Sequence, residues 1–422
     1  MIEKNVSKFY VIICLKTEVP MKKLSVYSEV APLKKVCLHR PGLELENLTP
    51  IWLHDLLFDD IPWLKKAQEE HDYLAKVLRD QGVEVVYLVD LVEESLSTPQ
   101  LKKQFIEQFI TESNLIHHKS KQKLFDYLNQ MSTRDMILTT MSGIVKTDFE
   151  TYRKHSLKDY IRDYPFITDP MPNLYFTRDP FSTVYDHVSI NKMYKKARSR
   201  ETIYGEYIFK YHPVYKNTPK VYDRYEDYSI EGGDILVLTD KIIAVGISER
   251  TEPDGIEKFA KNVFDNTDAE VVLAIDLPKK RSFMHLDTVL TQVDVDKFLI
   301  HHDFLGKLNV YEIYRSSVAH RIRIIPKEYS IKRLFSYHLK TKITVIPCGG
   351  DDKIASDREQ WNDGANALAI APGVVIVYER NSITNKLLRE HGVKTIIIPS
   401  SELSRGRGGP RCMSMPLVRG KM

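Results

Sequence analysis

The chain has 422 residues, of which 43% are hydrophobic and 28% charged, proportions typical of a globular protein rather than a disordered or collagen-like one. At roughly 150 residues per domain, this length allows one large domain or two to three ordinary ones. Lys and Arg together number 61 and Asp and Glu 57, so the net charge is only +4. Such a balance argues against a general binder of nucleic acid or of acidic membranes.

The four cysteines, Cys14, Cys37, Cys348 and Cys412, are too few and too scattered for a disulfide framework, and none forms a Cys-x-x-Cys pair. We therefore expect a protein of the reducing cytoplasm. Each thiol is then either a small buried apolar group or a reactive one. No apolar stretch reaches the roughly 18 residues that a spanning helix needs, so we expect no membrane segment.

Residues 1–20 are predicted to be an N-terminal extension. The apolar run at 9–15 is followed at once by Lys16 and Glu18, and it lacks the small-residue cleavage site of a secretory signal. Met21 would open a chain as well as Met1 does, so two translation starts remain open.

Residues 21–90 and 161–422 repeat one order of elements, which is strand, turn, strand, helix, strand. The copies are predicted at residues 36–89, 181–222, 235–275, 288–346 and 365–398. The first two fit loosely, and the fourth contains a longer loop before its helix. Five such units predict an α/β ring, a five-bladed propeller, rather than an open sheet.

Residues 91–160 interrupt this repeat with almost no strand signal. Apolar residues keep helical spacing there, and Pro99 occupies a plausible first helical position. They are Leu101, Phe105, Ile106, Phe109, Ile110, Leu124, Leu128 and Met131. We predict an inserted helical bundle domain with a packing role, because the segment offers no clustered polar motif.

Polar residues cluster at one recurring place, just before the first strand of a unit. They are Asn173, Asp179, Glu231, Asp234, His285, Asp287, Asp351, Asp352 and Asp363. Equivalent positions in a ring converge on its axis, so these side chains are expected to share one cavity. An acidic cavity with an imidazole and an amide suits a small cationic ligand.

The C-terminal tail adds a candidate nucleophile. Cys412 follows three glycines and three arginines within residues 405–411. Glycine lets the backbone approach a ligand closely, and nearby cationic groups favour a thiolate. Cys412 with His285, oriented by Glu231, would satisfy the logic of an activated nucleophile if the fold brings them within reach.

Each motif taken alone also has a structural interpretation. Residues 230–234 could be a hairpin turn, His285 a core histidine and Cys412 an inert thiol. Residues 405–409 could form a weak phosphate loop, although they do not match the P-loop pattern. Residues 195–200 could bind nucleic acid, but a solvated basic face is favoured because no aromatic platform accompanies them. Residues 301–303 invite a metal interpretation, yet adjacent strand residues point to opposite faces.

Four motifs taken together resemble the arginine deiminases of the guanidino-group-modifying superfamily. They are Phe-Thr-Arg-Asp-Pro at 176–180, Ile-Glu-Gly-Gly-Asp at 230–234, Met-His-Leu-Asp-Thr at 284–288 and Arg-Gly-Arg-Gly-Gly-Pro-Arg-Cys-Met-Ser-Met-Pro at 405–416. The resemblance runs from about Met21 to the C-terminus and includes Leu-Leu-Phe-Asp-Asp at 56–60.

The resemblance implies a five-bladed α/β propeller with an inserted helical domain, and hydrolysis of L-arginine to L-citrulline and ammonia without a metal or an organic cofactor. It implies that Cys412 is the nucleophile, that His285 is the general acid and base, and that Glu231 orients His285. Asp179 and Asp287 would grip the guanidinium nitrogens. A thiouronium adduct on the cysteine would be the covalent intermediate.

The same resemblance assigns the other end of the substrate. The set comprises Arg198, Arg250 and Arg407 for the α-carboxylate, Asn173 for the α-amino end, Phe176 for the aliphatic stem and Asp234 in the acidic wall. Arg198 would then be functional, while Lys195, Lys196 and Arg200 stay solvated. A homo-oligomer and a role in cytoplasmic arginine catabolism are also implied.

Two other functions remain open. A relative acting on agmatine, methylated arginine or an amidino acceptor would keep Cys412 and His285, although the arginines favour a substrate with a carboxylate. A non-catalytic arginine-binding protein would need no nucleophile. The acidic wall also raises the thiol pKa, which predicts that the thiolate forms mainly when the cationic substrate or a charged His285 supplies compensating charge.

Overall fold

The computed structural model describes residues 23–113, 118–148, 157, 160, 164–318 and 321–422. The predicted extension at residues 1–20 lies outside these ranges, as do parts of the predicted helical segment. Among the described helices, none combines the length and the apolar composition that crossing a bilayer requires.

Five mixed sheets of the described chain share one order of strands. In each, the first strand pairs antiparallel with the second, and the second pairs parallel with the third. Sheet 1 contains Met415–Arg419, Leu33–Leu38 and Glu84–Tyr87; sheet 2 Phe181–Val184, His187–Ile190 and Lys220–Tyr222; sheet 3 Ile235–Val237, Ile242–Ile247 and Val271–Asp276; sheet 4 Leu290–Asp294, Lys297–Ile300 and Thr344–Pro347; sheet 5 Leu368–Ala371, Val374–Tyr378 and Lys394–Ile398.

A helix connects the second strand of each sheet to the third. These helices are Leu64–Asp80, Thr202–Tyr211, Pro253–Asn266, Ile331–His338 and Ser382–Glu390. The first buries Ala67, Leu74 and Leu78 along one face of the helix. A parallel pair needs such a crossover, so the helices follow from the strand order.

Sheet 1 joins the two ends of the described chain. Its middle strand Leu33–Leu38 pairs antiparallel with Met415–Arg419, with Cys37 opposite Met415. The predicted unit at residues 36–89 therefore holds only two of the three strands. The third was missed because its partner lies near the other end of the sequence, where local patterns cannot indicate pairing.

The long loop predicted inside the fourth unit is instead a β-hairpin. Strands Lys307–Arg315 and Ile322–Ser330 pair antiparallel, and the first of them extends sheet 3 beside Val271–Asp276. The outer strand carries Pro326, Arg323 and Lys327. Proline and charged residues protect an exposed strand edge from pairing with another chain.

Helices occupy most of the described part of the segment predicted to be helical. They are Leu88–Ser95, Pro99–Glu112, His118–Gln130 and Thr133–Ser142. Pro99 is the first residue of its helix, as predicted, and the Thr98 side chain caps that helix by accepting from the Leu101 N–H. A short strand pair, Ile144–Val145 with Phe166–Thr168, follows where no strand was expected. Two further helices, Leu43–Glu46 and Lys353–Trp361, lie outside this segment.

Replacing Leu417 with alanine should destabilise the protein by about 2 to 5 kcal/mol, because the side chain is buried in the strand that closes sheet 1. Urea unfolding of both proteins measures this difference. Leu43→Ala is the matched control, since Leu43 is 63% exposed and its truncation should change stability little. Equal stabilities of the Leu417→Ala and Leu43→Ala proteins would contradict this account of the closing strand.

Candidate active site

Polar side chains from the turns that precede the first strands meet at one buried place. Cys412 lies before the first strand of sheet 1, so the tail contributes from the same relative position as the clusters predicted from the sequence. The prediction was wrong for Asp351 and Asp352, which are exposed, because Asp352 caps the helix Lys353–Trp361 instead. Hydrogen bonds connect the turns. The backbone N–H of Arg178 donates to the Cys412 carbonyl over 3.1 Å, and that of Gly232 donates to the Asp179 carbonyl over 3.1 Å.

Cys412 is held by its backbone as well as by its thiol. Its N–H donates to Oδ1 of Asn366 over 3.0 Å, and its thiol donates to Oδ2 of Asp287 over 3.5 Å. Only 3% of the residue is exposed. Burial, followed by the charges of Asp287 and Asp179, raises the thiol pKa well above its usual value. The Cys412 side chain is therefore a neutral thiol at rest.

Glycine permits the approach of the tail to its neighbours. A Cβ at Gly408 would lie 2.2 Å from the ring of Phe176, closer than any side chain tolerates. Phe176 itself is buried beside Tyr175, with ring centroids 4.0 Å apart. The glycine-rich sequence before Cys412 thus serves close packing against an aromatic wall.

His285 forms a buried charged pair with Glu231. Nε2 of His285 donates to Oε2 of Glu231 over 2.8 Å, and Nδ1 lies 3.8 Å from Oδ1 of Asp179. Burial alone lowers the His285 pKa, but Asp179 and the bond to Glu231 outweigh burial and raise it to about 9. Burial opposes ionisation of Glu231, yet the bond from His285 and the charge of Arg250 lower its pKa to about 2.

The backbone of Gly233 packs flat against the imidazole. A Cβ at this position would lie 2.7 Å from the His285 ring. The Ile-Glu-Gly-Gly-Asp motif is therefore not only a turn. It supplies the carboxylate partner of His285 and, one residue after the first glycine, the surface on which the ring rests.

Asp179 and Asp287 have the same arrangement of one engaged and one free oxygen. Oδ2 of Asp179 accepts from Nη1 of Arg198 over 2.6 Å, and Oδ2 of Asp287 accepts from Nη1 of Arg411 over 2.7 Å. Oδ1 of each carboxylate is buried and has no hydrogen-bond partner within the described structure. Two orphaned carboxylate oxygens fixed by arginines form a site prepared for a cationic group.

Arg250 and Arg407 are buried cations with unused donors. Nε of Arg250 and Nε and Nη1 of Arg407 lack a hydrogen-bond partner among the described residues. The Arg407 guanidinium lies over the Trp361 ring, 3.3 Å from its centroid. These donors are suited to an anionic group such as a carboxylate.

Arg198 differs from the other two predicted arginines. Its guanidinium pairs with Asp179 and with Glu201, and it also donates to the Asn173 carbonyl over 3.3 Å. It lies behind the carboxylate rather than presenting free donors. Arg200, predicted to be solvated, is buried instead, because it donates to the Asp169 carbonyl over 2.7 Å and lies over the Phe109 ring.

Asp234 and Asn173 are also engaged within the protein. Oδ2 of Asp234 accepts from the hydroxyls of Ser248 and Thr251, each over 2.6 Å, and Oδ1 accepts from the Leu286 N–H over 2.8 Å. Asp234 therefore fixes the loop that carries His285. The Asn173 side chain donates to the Leu56 carbonyl over 2.9 Å.

Sequence reasoning missed the buried partners of Asp287. Arg411 donates from Nε and Nη2 to the two oxygens of Glu29, each over 3.1 Å, and is fully enclosed. Arg411 directly precedes Cys412 and could have been noticed in the tail motif. Glu29 and Asn366 stand in no recognisable pattern, so only the fold indicates them.

Other sequence motifs do not converge here. Nδ1 of His301 accepts from the Asp303 N–H over 3.3 Å, so this pair forms a local turn. Within the described ranges, no group of three or more His, Cys, Asp or Glu side chains is arranged to hold a metal ion.

Comparison with solved structures defines the class of fold. An amidinotransferase of saxitoxin biosynthesis from Microseira wollei superposes with a TM-score of 0.55 at 14% identity, covering 95% of this chain and 98% of that one. An arginine dihydrolase of the cyanobacterial ornithine-ammonia cycle superposes over 91% of this chain and 97% of its own, with a TM-score of 0.51 at 13% identity. The chain thus has the α/β fold of the amidinotransferases and their structural relatives.

Sequence comparison then gives the family. The sequence model described as arginine deiminase matches residues 54–419. Arginine deiminases of Borrelia duttonii and Streptococcus sanguinis are each 49% identical over 403 residues, covering 94% of this chain and 98% of theirs. The arginine deiminase of Treponema denticola is 48% identical over 406 residues, which is 94% of this chain and 99% of its own. The chain belongs to the arginine deiminase family, and the resemblance inferred from the four motifs is confirmed.

The His285 imidazole should titrate with a pKa of about 9 when followed by NMR, against about 6.5 for an unperturbed histidine. Glu231→Gln should lower that pKa, because it removes both the charge and the acceptor that favour the imidazolium. Glu312→Gln is the control, since Glu312 is bonded to His338 instead and its loss should leave His285 unchanged. An ordinary His285 pKa in the unmodified protein would contradict the electrostatic account.

Proposed function

We propose that this chain is an arginine deiminase that hydrolyses L-arginine to L-citrulline and ammonia. The observation that carries the proposal is that Asp179 and Asp287 each keep a buried Oδ1 without a partner among the described residues, while Oδ2 of Asp287 contacts the Cys412 thiol. A guanidinium group donates hydrogen bonds in a planar fork, and two carboxylates matching that fork would present its carbon to the sulfur. Identity of 49% with curated arginine deiminases supports the same reaction.

The unused donors of Arg250 and Arg407 support recognition of the α-carboxylate. Arg198 would act one layer further back, holding Asp179 in position. Phe176 would pack on the aliphatic stem. Asn173 would keep its predicted place near the α-amino end, although its amide nitrogen is already used. Asp234 would serve by positioning the His285 loop rather than by touching the substrate.

The chemistry would begin with attack of the Cys412 thiolate on the guanidinium carbon, which gives a neutral tetrahedral adduct. The charged His285 would then donate a proton to one amino group, and ammonia would leave with the carbon–nitrogen bond. The product of this step is a cationic thiouronium bound to Cys412. Neutral His285 would take a proton from water as the hydroxide attacks, which gives a second neutral adduct. Collapse would break the carbon–sulfur bond and release citrulline, and the hydroxyl proton of the adduct would pass to the sulfur and restore the resting thiol, whose own proton left to solvent when the thiolate formed.

Formation of the Cys412 thiolate is the step of this mechanism that the electrostatics of the site most oppose. Burial and two carboxylates disfavour the thiolate, so the resting site holds a neutral sulfur beside a charged imidazole. A guanidinium bound between Asp179 and Asp287 would neutralise the charges that oppose ionisation. We propose that the substrate itself lowers the thiol pKa and thereby activates its own nucleophile.

For the whole molecule, we propose a closed five-bladed propeller at residues 21–90 and 161–422, with an inserted helical domain at 91–160. The shared strand order of sheets 1 to 5 and the joined ends of sheet 1 support this architecture. A homo-oligomer in the cytoplasm, working in arginine catabolism, is part of the same proposal. The three described cysteines, Cys37, Cys348 and Cys412, are free thiols, which fits a reducing compartment.

Cys412→Ser should abolish citrulline formation from L-arginine while leaving thermal stability nearly unchanged, because a buried hydroxyl replaces the thiol at similar size. A colorimetric citrulline assay with ammonia release measures this. Cys348→Ser is the control, since Cys348 is equally buried but lies in the core of sheets 4 and 5. Citrulline formed by the Cys412→Ser protein would sink the mechanism, and turnover of agmatine in preference to arginine would favour the alternative substrate class. Arginine binding without turnover by the unmodified protein would favour a binding function.

Substrate-assisted activation predicts that a bound cation lowers the pKa of Cys412. L-lysine places an ammonium nitrogen where arginine has its guanidinium carbon, and L-norleucine has the same stem without the charge. Ultraviolet absorbance of the thiolate, with Cys412→Ser as the blank, should titrate at lower pH in the presence of lysine than of norleucine. The same titration curve with both ligands bound would contradict the hypothesis.

A further inference from the structure

Asp363 is a buried carboxylate that the proposed mechanism does not use. Only 4% of the residue is exposed, and Oδ2 has no hydrogen-bond partner among the described residues. Its backbone lies in the left-handed region with φ of 59°, which is uncommon for a residue other than glycine. An orphaned buried acid in a strained turn is costly and therefore requires an explanation.

The position of Asp363 in the fold matches that of the carboxylates proposed to bind the guanidinium. It lies in the turn before Leu368–Ala371, the first strand of sheet 5. Asp179 and Asp287 occupy the corresponding turns before the first strands of sheets 2 and 4. The turn before sheet 5 thus also contributes a carboxylate to the buried place where the turns of the other sheets meet.

Neighbours on both sides fix this turn between the two ends of the site. Trp361, two residues earlier, supports the guanidinium of Arg407 at 3.3 Å. Asn366, three residues later, accepts from the Cys412 N–H and donates to the Asp287 carbonyl over 3.0 Å. Asp363 therefore stands between the arginine that would hold the α-carboxylate and the residues that would hold the guanidinium.

The charges around Asp363 leave room for one more cation. Burial raises its pKa to about 7, which Arg407 opposes and Asp287 reinforces. Arg407 forms no ion pair with it within 4.0 Å in the described structure. A buried carboxylate is stabilised chiefly by a directly bonded positive group.

Resting on the proposed function, we propose that Asp363 is a specificity-determining residue that binds the α-ammonium group of the substrate. Asp179 and Asp287 are proposed to bind the guanidinium, and the neutral Asn173 amide is the group proposed near the α-amino end. The α-ammonium is thus the one cationic group of arginine left without a negatively charged partner. It is bonded to the same carbon as the α-carboxylate assigned to Arg250 and Arg407. Asp363 would then bind the α-ammonium and Arg407 the α-carboxylate, so the two residues together recognise the zwitterionic end of the substrate.

Asp363→Asn tests this inference, because it keeps the shape and removes the charge. In the Cys412→Ser background, calorimetry should show binding of L-arginine weakened about ten- to hundred-fold by Asp363→Asn. Binding of Nα-acetyl-L-arginine, which keeps the guanidinium and carboxylate but has no ammonium, should be the same with and without the change. Agmatine, which keeps the amine and lacks the carboxylate, should lose affinity as arginine does.

Asp351→Asn is the matched control, because Asp351 lies twelve residues earlier on an exposed turn and should affect no ligand. If Asp363→Asn does not fold, Asp363→Gly serves instead, since glycine accepts the left-handed backbone without strain. Equal losses for L-arginine and Nα-acetyl-L-arginine would overturn the inference, as would no loss for either. Failure of the unmodified protein to form citrulline would instead contradict the proposed function.

Discussion

The pairing of Arg411 with Asp287 is the interaction on which the remainder of the site depends. Both groups are buried, and an unpaired charge in such a place would cost several kcal/mol. Glu29 holds Arg411 from the opposite side through two hydrogen bonds, and the Ile235 carbonyl accepts a further one. The carboxylate is thereby fixed with Oδ2 between Arg411 and the Cys412 thiol, and Oδ1 stays without a partner among the described residues.

This constraint explains why the charges alternate in layers. Carboxylates at the centre are backed by arginines, and those arginines are backed by further acids, as in Asp179, Arg198 and Glu201. A single layer of buried acids would repel one another and gain protons. With arginines behind them, Asp179 and Asp287 each keep one free oxygen, an arrangement suited to a cationic group that needs no large net charge on the whole protein. The formal charge of +4 is an average over these opposed layers.

Much of this site could be predicted from the sequence because its residues lie in short motifs at a repeated place. Glu231 with its glycines, His285 with Asp287, and Cys412 behind a glycine-rich run each carry a local signal. The family resemblance placed Arg198 on the substrate α-carboxylate, but the sequence cannot indicate that Asp179 and Glu201 already pair with the Arg198 guanidinium. Arg200 was predicted to be solvated because charged residues surround it in the sequence. Its packing against the Phe109 ring buries it instead.

The fold, like the site, could be predicted where the sequence carries a local pattern. Strand, helix and strand in one unit leave a continuous pattern, so the units at 235–275, 288–346 and 365–398 could be predicted strand by strand, and the unit at 181–222 only as a range. The outer strand of sheet 1 and the hairpin added to sheet 3 were not, because pairing partners at long separation leave no local trace. The pairing of Glu29 with Arg411 could not be predicted for the same reason, since nothing near residue 29 in the sequence indicates an arginine at 411.

Closing sheet 1 and assembling the site are therefore one event in this protein. The strand Met415–Arg419 begins three residues after Cys412 and pairs with Leu33–Leu38, four residues beyond Glu29. Pairing of the strands brings Glu29 to Arg411, and Arg411 in turn fixes Asp287 beside the thiol. The contact between the Cys412 thiol and Asp287 therefore forms only when both ends of the described chain have met. The entropy of closing so long a loop grows slowly with its length, so the contacts of one buried strand and one ion network suffice to offset it.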